Sequence, residues 1–325
     1  MAGQVNYVWN FCVNTTKQAR RWRRWWPSAN DLNNLTAGSS KSLNIHSQTI
    51  QAICEGFAKS RDEHKKIPKY RSYKRHLPWV PFKVSGLKYD GNDTFTFNGV
   101  VVKVWLSRPL KGTIKTGSFN QDSRGRWYIN IQCEVPITTT LPTTQMPIGI
   151  DPGIKTILTL SDGTNYNREN ITKKYADKLA RAQRAGHTKQ ARNIHAKIAN
   201  IRLDFNHKVS TEIVKSYAQI FIGDVSCNNI KSKNLNKSIY DASWYSLKIM
   251  LKYKALMLTK YFSEVPEAYT TQTCSGCMAR SGPQGKDQLG VRDWICDQCK
   301  KHHDRDTNAA INILNRGLTN LRLGH

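Results

Sequence analysis

Residues 274–277 read Cys-Ser-Gly-Cys, residues 296–299 read Cys-Asp-Gln-Cys, and residues 303–310 read His-Asp-Arg-Asp-Thr-Asn-Ala-Ala. A CxxC pair forms a tight turn that presents two thiolates, and two such turns supply the four soft ligands of a tetrahedral zinc site. Two structural disulfides are the alternative. The other four cysteines are scattered singly and no secretory signal is found, which favours zinc. We therefore expect a closed, structural Zn²⁺ site formed by Cys274, Cys277, Cys296 and Cys299.

Acidic residues stand at three further places where a carboxylate can meet a metal ion. Asp306 precedes an apolar-periodic segment, where an Asp can either cap a helix or bind a metal. Asp151 lies between two predicted strands, where a turn residue without a catalytic role is the alternative. Asp224 lies at the end of a predicted buried strand that begins at Ile220. Asp304 is closer to the cysteines, and we expect it to be structural.

The net charge indicates the class of partner. The 325 residues include 50 Lys plus Arg against 23 Asp plus Glu, which gives a formal charge of +27. Basic residues run from Arg20 to Arg322, so a polyanion is expected to neutralise them, and nucleic acid is the obvious one. No apolar run of about 18 residues is present, so we expect no membrane span. A merely basic soluble protein or a membrane-surface binder is the alternative.

The first part of the chain reads as two basic helical segments followed by strands. Arginines and tryptophans alternate in 20–26, a mixture that suits stacking and phosphate contact on RNA or single strands. A half-buried helix with core tryptophans is the alternative. A second amphipathic helix is predicted over 43–57, and residues 77–137 read as short strands with an Asn98-Gly99 hairpin, which predicts a small antiparallel barrel. The nucleic-acid contacts expected here are Arg20, Arg21, Arg23 and Arg24.

Residues 171–219 read as two helices with one apolar and one basic face. A solvated charged face is the usual explanation, but few acids balance these cations, which favours contact with a nucleic-acid backbone. The basic positions are Lys174, Lys178, Arg181, Lys189 and Arg192. A Thr- and Pro-rich linker is expected at 138–145.

The order of these motifs resembles the TnpB family, transposon-encoded RNA-guided nucleases related to compact type V CRISPR effectors. The resemblance covers residues 140–325 closely. It is carried by Gly-Ile-Asp-Pro-Gly at 149–153, Ile-Gly-Asp-Val-Ser at 222–226, Tyr-Thr-Thr-Gln-Thr-Cys-Ser-Gly-Cys at 269–277 and His-Asp-Arg-Asp-Thr-Asn-Ala-Ala-Ile-Asn-Ile-Leu at 303–314.

The resemblance implies an α/β multidomain fold, in which a zinc ribbon is inserted into an RNase H-like RuvC nuclease domain, with a small β-barrel wedge domain and a helical recognition region. The expected divisions are recognition region 1–75, wedge 76–140, RuvC-like domain 141–270, target-binding zinc ribbon 271–303 and the last RuvC-like part 304–325. Family members begin with a strand and a helix ahead of the segment that resembles Tyr7-Val8-Trp9-Asn10, so the wedge is expected to be incomplete or completed otherwise.

The position of the second catalytic acid stays open at this point. The family commonly has a Glu at the end of the central strand, where this chain has Gly223 followed by Asp224. Neighbouring strand residues point to opposite faces, so Asp224 need not replace that Glu. Glu267, just before the zinc ribbon, resembles the acid of a TnpB subgroup whose second acid has moved. Either residue could complete the site with Asp151 and Asp306, or the site could be lost.

Three functions from different classes follow. The first is an RNA-guided DNA endonuclease, in which two Mg²⁺ ions held by Asp151, Asp306 and Glu267 or Asp224 hydrolyse DNA. Pairing with a transposon-end guide RNA would select the double-stranded or single-stranded target DNA next to a short flanking motif. The second is an RNA-guided repressor without cleavage, and the third is an RNase H-like DNA transposase that needs no RNA. The expected location is the prokaryotic cytoplasm, associated with the nucleoid.

Overall fold

The computed structural model describes residues 1–23, 26–136, 145–225, 243–284, 288 and 290–323. The chain divides into two compact units, Met1–Pro136 and Ile137–His325. The five-part division expected from the sequence is finer than this and stays a prediction. Most of the predicted linker, the Arg24 position and the Arg23 side chain lie outside the described residues.

The first unit begins with four helices, and the two long ones pack on each other in a core that continues into the following strands. The helices are α1 (Ala2–Arg23), α2 (Ala29–Leu35), α3 (Ser39–Leu43) and α4 (Ser47–His64). Trp9 packs edge-on against Phe57 at 5.3 Å between ring centroids, which joins α1 to α4. The helix predicted over 43–57 corresponds to α4, which begins only at Ser47. Its start is later than predicted because Asn44 adopts a left-handed conformation (φ 51°) that ends α3.

The strands of this unit form two antiparallel three-stranded sheets. They are β1 (Trp79–Lys83), β2 (Leu87–Gly91), β3 (Thr94–Phe97), β4 (Val100–Lys103), β5 (Thr113–Gln121) and β6 (Trp127–Glu134), ordered β1-β5-β6 and β2-β3-β4. The predicted hairpin at Asn98-Gly99 is confirmed, since Phe97 pairs with Val100 across it. The Phe82, Phe97 and Phe119 rings meet at 5.2–5.8 Å between centroids and tie the two sheets together. Closure into a barrel stays a prediction.

The second unit is built on a five-stranded mixed sheet. Its strands are β7 (Pro147–Pro152), β8 (Leu158–Leu160), β9 (Asn165–Tyr166), β10 (Gln219–Gly223) and β11 (Tyr261–Val265), in the order β11-β10-β7-β8-β9. Strands β7, β10 and β11 are parallel to one another, and β8 and β9 are antiparallel to their neighbours. The carboxyl ends of β7, β10 and β11 therefore meet at one edge of the sheet.

Helices cover both faces of this sheet. The described ones are α5 (Ile171–Arg184), α6 (Thr188–Ser216), α7 (Trp244–Met257) and α8 (Arg305–Arg322). Ile220 and Ile222 of β10 pack with α6 and α7, whereas Phe221 between them packs with α8, as the alternation of strand residues requires. A Cβ at Gly149 would lie 2.1 Å from the Ala310 carbonyl oxygen, so only glycine lets α8 come this close to β7. The unit is a mixed α/β structure, as expected.

A two-stranded hairpin precedes α8. It consists of β12 (Asp293–Ile295) and β13 (His302–Asp304), and it joins the cysteine-containing turns to the helix. Of the helices described, none combines the length and apolar character needed to span a bilayer.

Candidate active site and cysteine cluster

Asp151 marks the carboxyl end of β7. It pairs with Thr159 of β8, and the chain turns at Gly153, whose carbonyl accepts a hydrogen bond of 3.0 Å from the Trp244 indole Nε1. The turn after Asp151 is thus fixed from α7. The Asp151 side chain is only partly exposed.

Glu267 reaches the same edge from the neighbouring strands. It stands two residues after Val265, which pairs with Gly223 at the end of β10. A Cβ built on Gly223 would lie only 3.0 Å from Glu267 Oε2, closer than Cβ contacts normally come. The Glu267 carboxylate therefore occupies space that is available because residue 223 has no side chain.

Asp306 arrives from the first turn of α8. Asp304 caps this helix, because its Oδ1 accepts a hydrogen bond of 2.8 Å from the Thr307 N–H. The Asp306 carboxylate instead receives Arg292 Nη1 at 2.8 Å and 2.7 Å on its two oxygens. Of the two acids in this motif, Asp304 thus serves the helix and Asp306 faces the cleft.

The three carboxylates interact electrostatically. Burial and the negative charges of Asp306 and Glu267 hold the pKa of Asp151 well above its usual range, while Arg305 and Arg292 act in the opposite direction. Burial, followed by the charge of Asp224, raises the pKa of Glu267 to about 7. Negative charge is therefore concentrated here beyond what the two arginines compensate.

These side chains line one open cleft of about 650 Å³. The cleft is lined by the three acids Asp151, Glu267 and Asp306, and by two arginines, Arg292 and Arg305. Oxygen ligands that converge and repel one another fit a hard divalent cation such as Mg²⁺, because such a cation would neutralise them.

Asp224 lies differently from the other acids. It is exposed and does not belong to the lining of the cleft. Its Oδ1 accepts the backbone N–H of Glu267 at 3.2 Å. In this arrangement Asp224 contacts the loop that carries Glu267 instead of pointing beside Asp151.

The four cysteines of the two CxxC turns lie together. Their Sγ atoms are all within 4.8 Å of one another, with Cys274 and Cys296 buried and Cys277 and Cys299 exposed. Polar groups surround the sulfur atoms: the Gly276 N–H donates to Cys274 Sγ at 3.3 Å, and the Ser281 hydroxyl donates to Cys296 Sγ at 3.2 Å. Four convergent sulfur ligands can hold one metal ion, and this donor set is the one that structural zinc prefers.

His303 connects this cluster to α8. Its Nε2 lies 3.1 Å from Cys274 Sγ, and its ring stacks on Trp294 at 4.6 Å between centroids. The imidazole is buried, and that burial lowers the pKa of His303. A neutral ring with one N–H directed at the sulfur would orient Cys274, as residues around metal ligands do.

The predicted nucleic-acid contacts lie on the surface wherever the structure describes them. Arg20 and Arg21 are exposed at the end of α1, where Arg21 stacks over the exposed Trp22 at 5.5 Å. The predicted basic positions of α5 and α6 are likewise all exposed: Lys174, Lys178, Arg181, Lys189 and Arg192.

Sequence reasoning missed three residues at the acidic edge. Arg292 pairs with Asp306, and Asn308 and Asn312 lie buried on α8 against the loop that follows Glu267. The signal for the two amides was their spacing of one helical turn within an otherwise apolar face. Nothing comparable in the sequence marks Arg292 among the many basic residues.

Comparison with known proteins identifies the family. Residues 244–313 match the family model "Cas12f1-like, TNB domain", and residues 130–234 match the model "Probable transposase". A Streptomyces pristinaespiralis protein, named as an RNA-guided DNA endonuclease, is 31% identical over 90% of this chain and 75% of its own length. InsQ of Escherichia coli, named likewise, is 35% identical over 67% of this chain and 60% of its own length. The TnpB-like protein L79 of Acanthamoeba polyphaga mimivirus is 28% identical over 67% of this chain and 46% of its own length. On this similarity, the chain belongs to the TnpB family of transposon-associated, RNA-guided DNA endonucleases.

Proposed function

We propose that this chain cleaves DNA complementary to a bound transposon-end guide RNA, next to a short flanking motif, by two-metal hydrolysis in a RuvC-type active site. The observation that carries the proposal is the convergence of Asp151, Glu267 and Asp306 in one cleft at the sheet edge. Family membership supplies the substrate class, and the cleft supplies a place for the chemistry.

Asp151, Glu267 and Asp306 would hold the catalytic Mg²⁺. When bound, the metal lowers the pKa of a water molecule and stabilises the leaving oxygen of the phosphodiester. The three acids would be ionised in that state, since the cation offsets both the burial and the nearby negative charges that raise the pKa values of Asp151 and Glu267. Arg292, which contacts both Asp306 oxygens, would have to share or leave this carboxylate.

Glu267 is our choice for the second acid. It lines the cleft and interacts with Asp151, whereas Asp224 is exposed and accepts the Glu267 backbone N–H. Asp224 would act on the metal only indirectly, through its charge on Glu267. The four cysteines would hold Zn²⁺ away from the reaction, because a closed four-sulfur site has no open position for water or substrate.

The basic surfaces would bind the nucleic acids. Exposed lysines and arginines on α5 and α6, and the arginines with Trp22 at the end of α1, can neutralise phosphates without reading sequence. Guide pairing would then select the target, while the recognition and wedge regions of the first unit and the zinc ribbon of the second hold guide RNA and DNA. The site of action would be the nucleoid, where the target DNA lies.

The decisive experiment compares two acid variants at matched guided DNA binding. Glu267→Gln keeps the size of the side chain but removes a metal-binding charge, so cleavage should fall by ~10²–10³-fold, the effect expected when a central electrostatic contribution to the transition state is lost. Asp224→Asn is the matched control and should cut DNA within about fivefold of wild type, since Asp224 affects the metal only through its charge on Glu267. The reverse order of effects would assign the second acid to Asp224.

Two other outcomes would replace the proposal. Guided binding without cleavage by the wild-type protein at any Mg²⁺ concentration would indicate an RNA-guided repressor. Joining of transposon ends without RNA would indicate a DNA transposase, the activity named by the model that matches residues 130–234.

A further inference from the structure

Two buried asparagines on α8 share the same pair of acceptors. Asn308 and Asn312 are 1% and 5% exposed. Asn308 Nδ2 donates to the Thr270 carbonyl at 3.2 Å and to the Thr273 carbonyl at 2.8 Å, and Asn312 Nδ2 donates to the same carbonyls at 2.8 Å and 2.7 Å. Because residues four apart lie above one another on a helix, both amides face one segment. We call these four hydrogen bonds the amide clasp.

The clasped segment is the loop between Glu267 and Cys274. Each carbonyl oxygen has two lone pairs, so Thr270 and Thr273 are both fully used by the two amides. Asn308 makes a further contact, because its Oδ1 accepts the Ser275 N–H at 2.9 Å. Within the described residues Asn312 Oδ1 has no hydrogen-bond partner, so Asn312 acts on the loop through Nδ2 alone.

The loop transmits this restraint to Glu267. The Thr270 N–H donates to the Glu267 carbonyl at 3.1 Å, and the Thr270 hydroxyl donates to the same oxygen at 2.8 Å. Thr270 itself is buried and held by α8 through its own carbonyl. Since Asp306 stands in the first turn of α8, a chain of hydrogen bonds runs from the helix that carries Asp306 to the backbone of Glu267.

We infer that Asn308 and Asn312 are positioning residues that set the separation of the Glu267 and Asp306 carboxylates and thereby the affinity of the catalytic site for its divalent metal. This inference rests on the proposed function, because it assigns a metal to these acids. Polar groups that hold ligands in place are general features of metal sites.

Packing of α8 does not by itself require these amides. The helix already contacts the sheet closely, since a Cβ on Gly317 would lie 2.2 Å from Phe221 and one on Gly149 would meet the Ala310 backbone. Ile313 and Leu314 complete that apolar contact. The amides add a connection to the Glu267 loop, which the apolar residues of the helix do not provide.

The test uses the full chain with its guide RNA and two substitutions at one position. Asn312→Ala removes both donors, and Asn312→Leu removes them while nearly preserving volume, so that a result from either variant that folds is sufficient. Asn315→Ala is the control, because Asn315 is an exposed asparagine on the same helix. Two quantities are measured: hydrogen exchange in the peptide covering 267–275, and the Mg²⁺ concentration that gives half-maximal cleavage.

The Asn312 variants should exchange faster within 267–275, where the Thr270 N–H loses its support, and should need roughly tenfold more Mg²⁺, the effect of about one net neutral hydrogen bond. Excess Mg²⁺ should restore the wild-type rate, and Asn315→Ala should change neither quantity. Faster exchange with an unchanged Mg²⁺ requirement would overturn the inference and leave the two asparagines a purely structural role. Unchanged exchange in this peptide would also overturn the inference, because the amides would then not restrain the loop. If the wild type does not cleave at any Mg²⁺ concentration, the proposed function fails, and the metal assignment on which the inference depends fails with it. Faster exchange in 267–275 of the Asn312 variants would in that case show only that the clasp has a structural role.

Discussion

Replacing Glu267 by Gln should stabilise the magnesium-free protein at neutral and alkaline pH. The pKa of Glu267 is raised from 4.5 to about 7, mainly by burial and then by Asp224. An acid with a raised pKa in the fold binds more protons folded than unfolded between these two values, so stability falls as pH rises from about 4.5 through 7. Above pH 7 the wild type bears the whole cost of an ionised, partly buried carboxylate, and the neutral Gln does not.

The magnitude follows from the same values. A rise from 4.5 to about 7 corresponds to about 3 kcal/mol at ~1.4 kcal/mol per pKa unit, and partial solvent access reduces this to about 1–3 kcal/mol. For a unit of this size, each kcal/mol moves the melting temperature by ~2–4 °C. Glu267→Gln should therefore melt about 5 °C higher than wild type at pH 8 without Mg²⁺, with the gain vanishing toward pH 4.5.

Differential scanning calorimetry over this pH range, in buffer without a metal chelator, measures the effect. The exposed Glu63, which lies 3.8 Å from Lys59, supplies the control variant Glu63→Gln, whose melting temperature should follow the wild type. Mg²⁺ should raise the melting temperature of the wild type and not that of Glu267→Gln. A Glu267→Gln protein that is less stable than wild type at pH 8, or a gain that grows as pH falls, would refute the idea of uncompensated charge in this cleft.

The remaining predictions concern the cysteine cluster, the ion pair and the nucleic acid. Cys274→Ser should release one zinc per chain, measured by a chelating dye, and lower cleavage although no acid is changed, because the loop from Glu267 ends at this cysteine; full activity of the zinc-free variant would exclude the link. Arg292→Gln should lower the melting temperature without Mg²⁺ by a few degrees and less so with saturating Mg²⁺, since Arg292 is the cation that Asp306 contacts; equal losses in both buffers would contradict this reading. Protein expressed with its own locus should copurify with stoichiometric RNA whose affinity falls steeply with salt, and a nucleic-acid-free protein that still cuts specifically would rule out guidance by RNA.

Local sequence signals predicted where most elements lie. The strand that carries Asp151, the helix of the apolar segment after Asp306 and the hairpin at Asn98-Gly99 all follow from patterns a few residues long, and the structure has each of them, although the helix begins at Arg305 and is capped by Asp304. The cysteine spacing likewise predicted a cluster, and the four sulfur atoms do converge.

Relations between distant segments could not be obtained in this way. The choice between Glu267 and Asp224 depends on whether β10 and β11 are parallel neighbours and on the room left by the missing side chain at Gly223. Neither property can be read from one segment of the sequence alone. Arg292 is one of 50 basic residues, and its pairing with Asp306 arises only when the β12–β13 hairpin folds back on α8.

The missing side chain at Gly223 has a consequence for how relatives of this protein are sorted into active and inactive members. An alignment records which amino acid stands at the end of each strand, and by that criterion this chain has an empty second position. The Glu267 carboxylate approaches the position that a side chain at residue 223 would take, and it does so from the loop after the neighbouring parallel strand β11. If Glu267 is the second acid, as we propose, sorting should treat residues 223 and 267 as a coupled pair, in which a glycine at one position is informative only together with an acid at the other. Chains with glycine at the first position and no acid at the second are the ones in which loss of cleavage is expected.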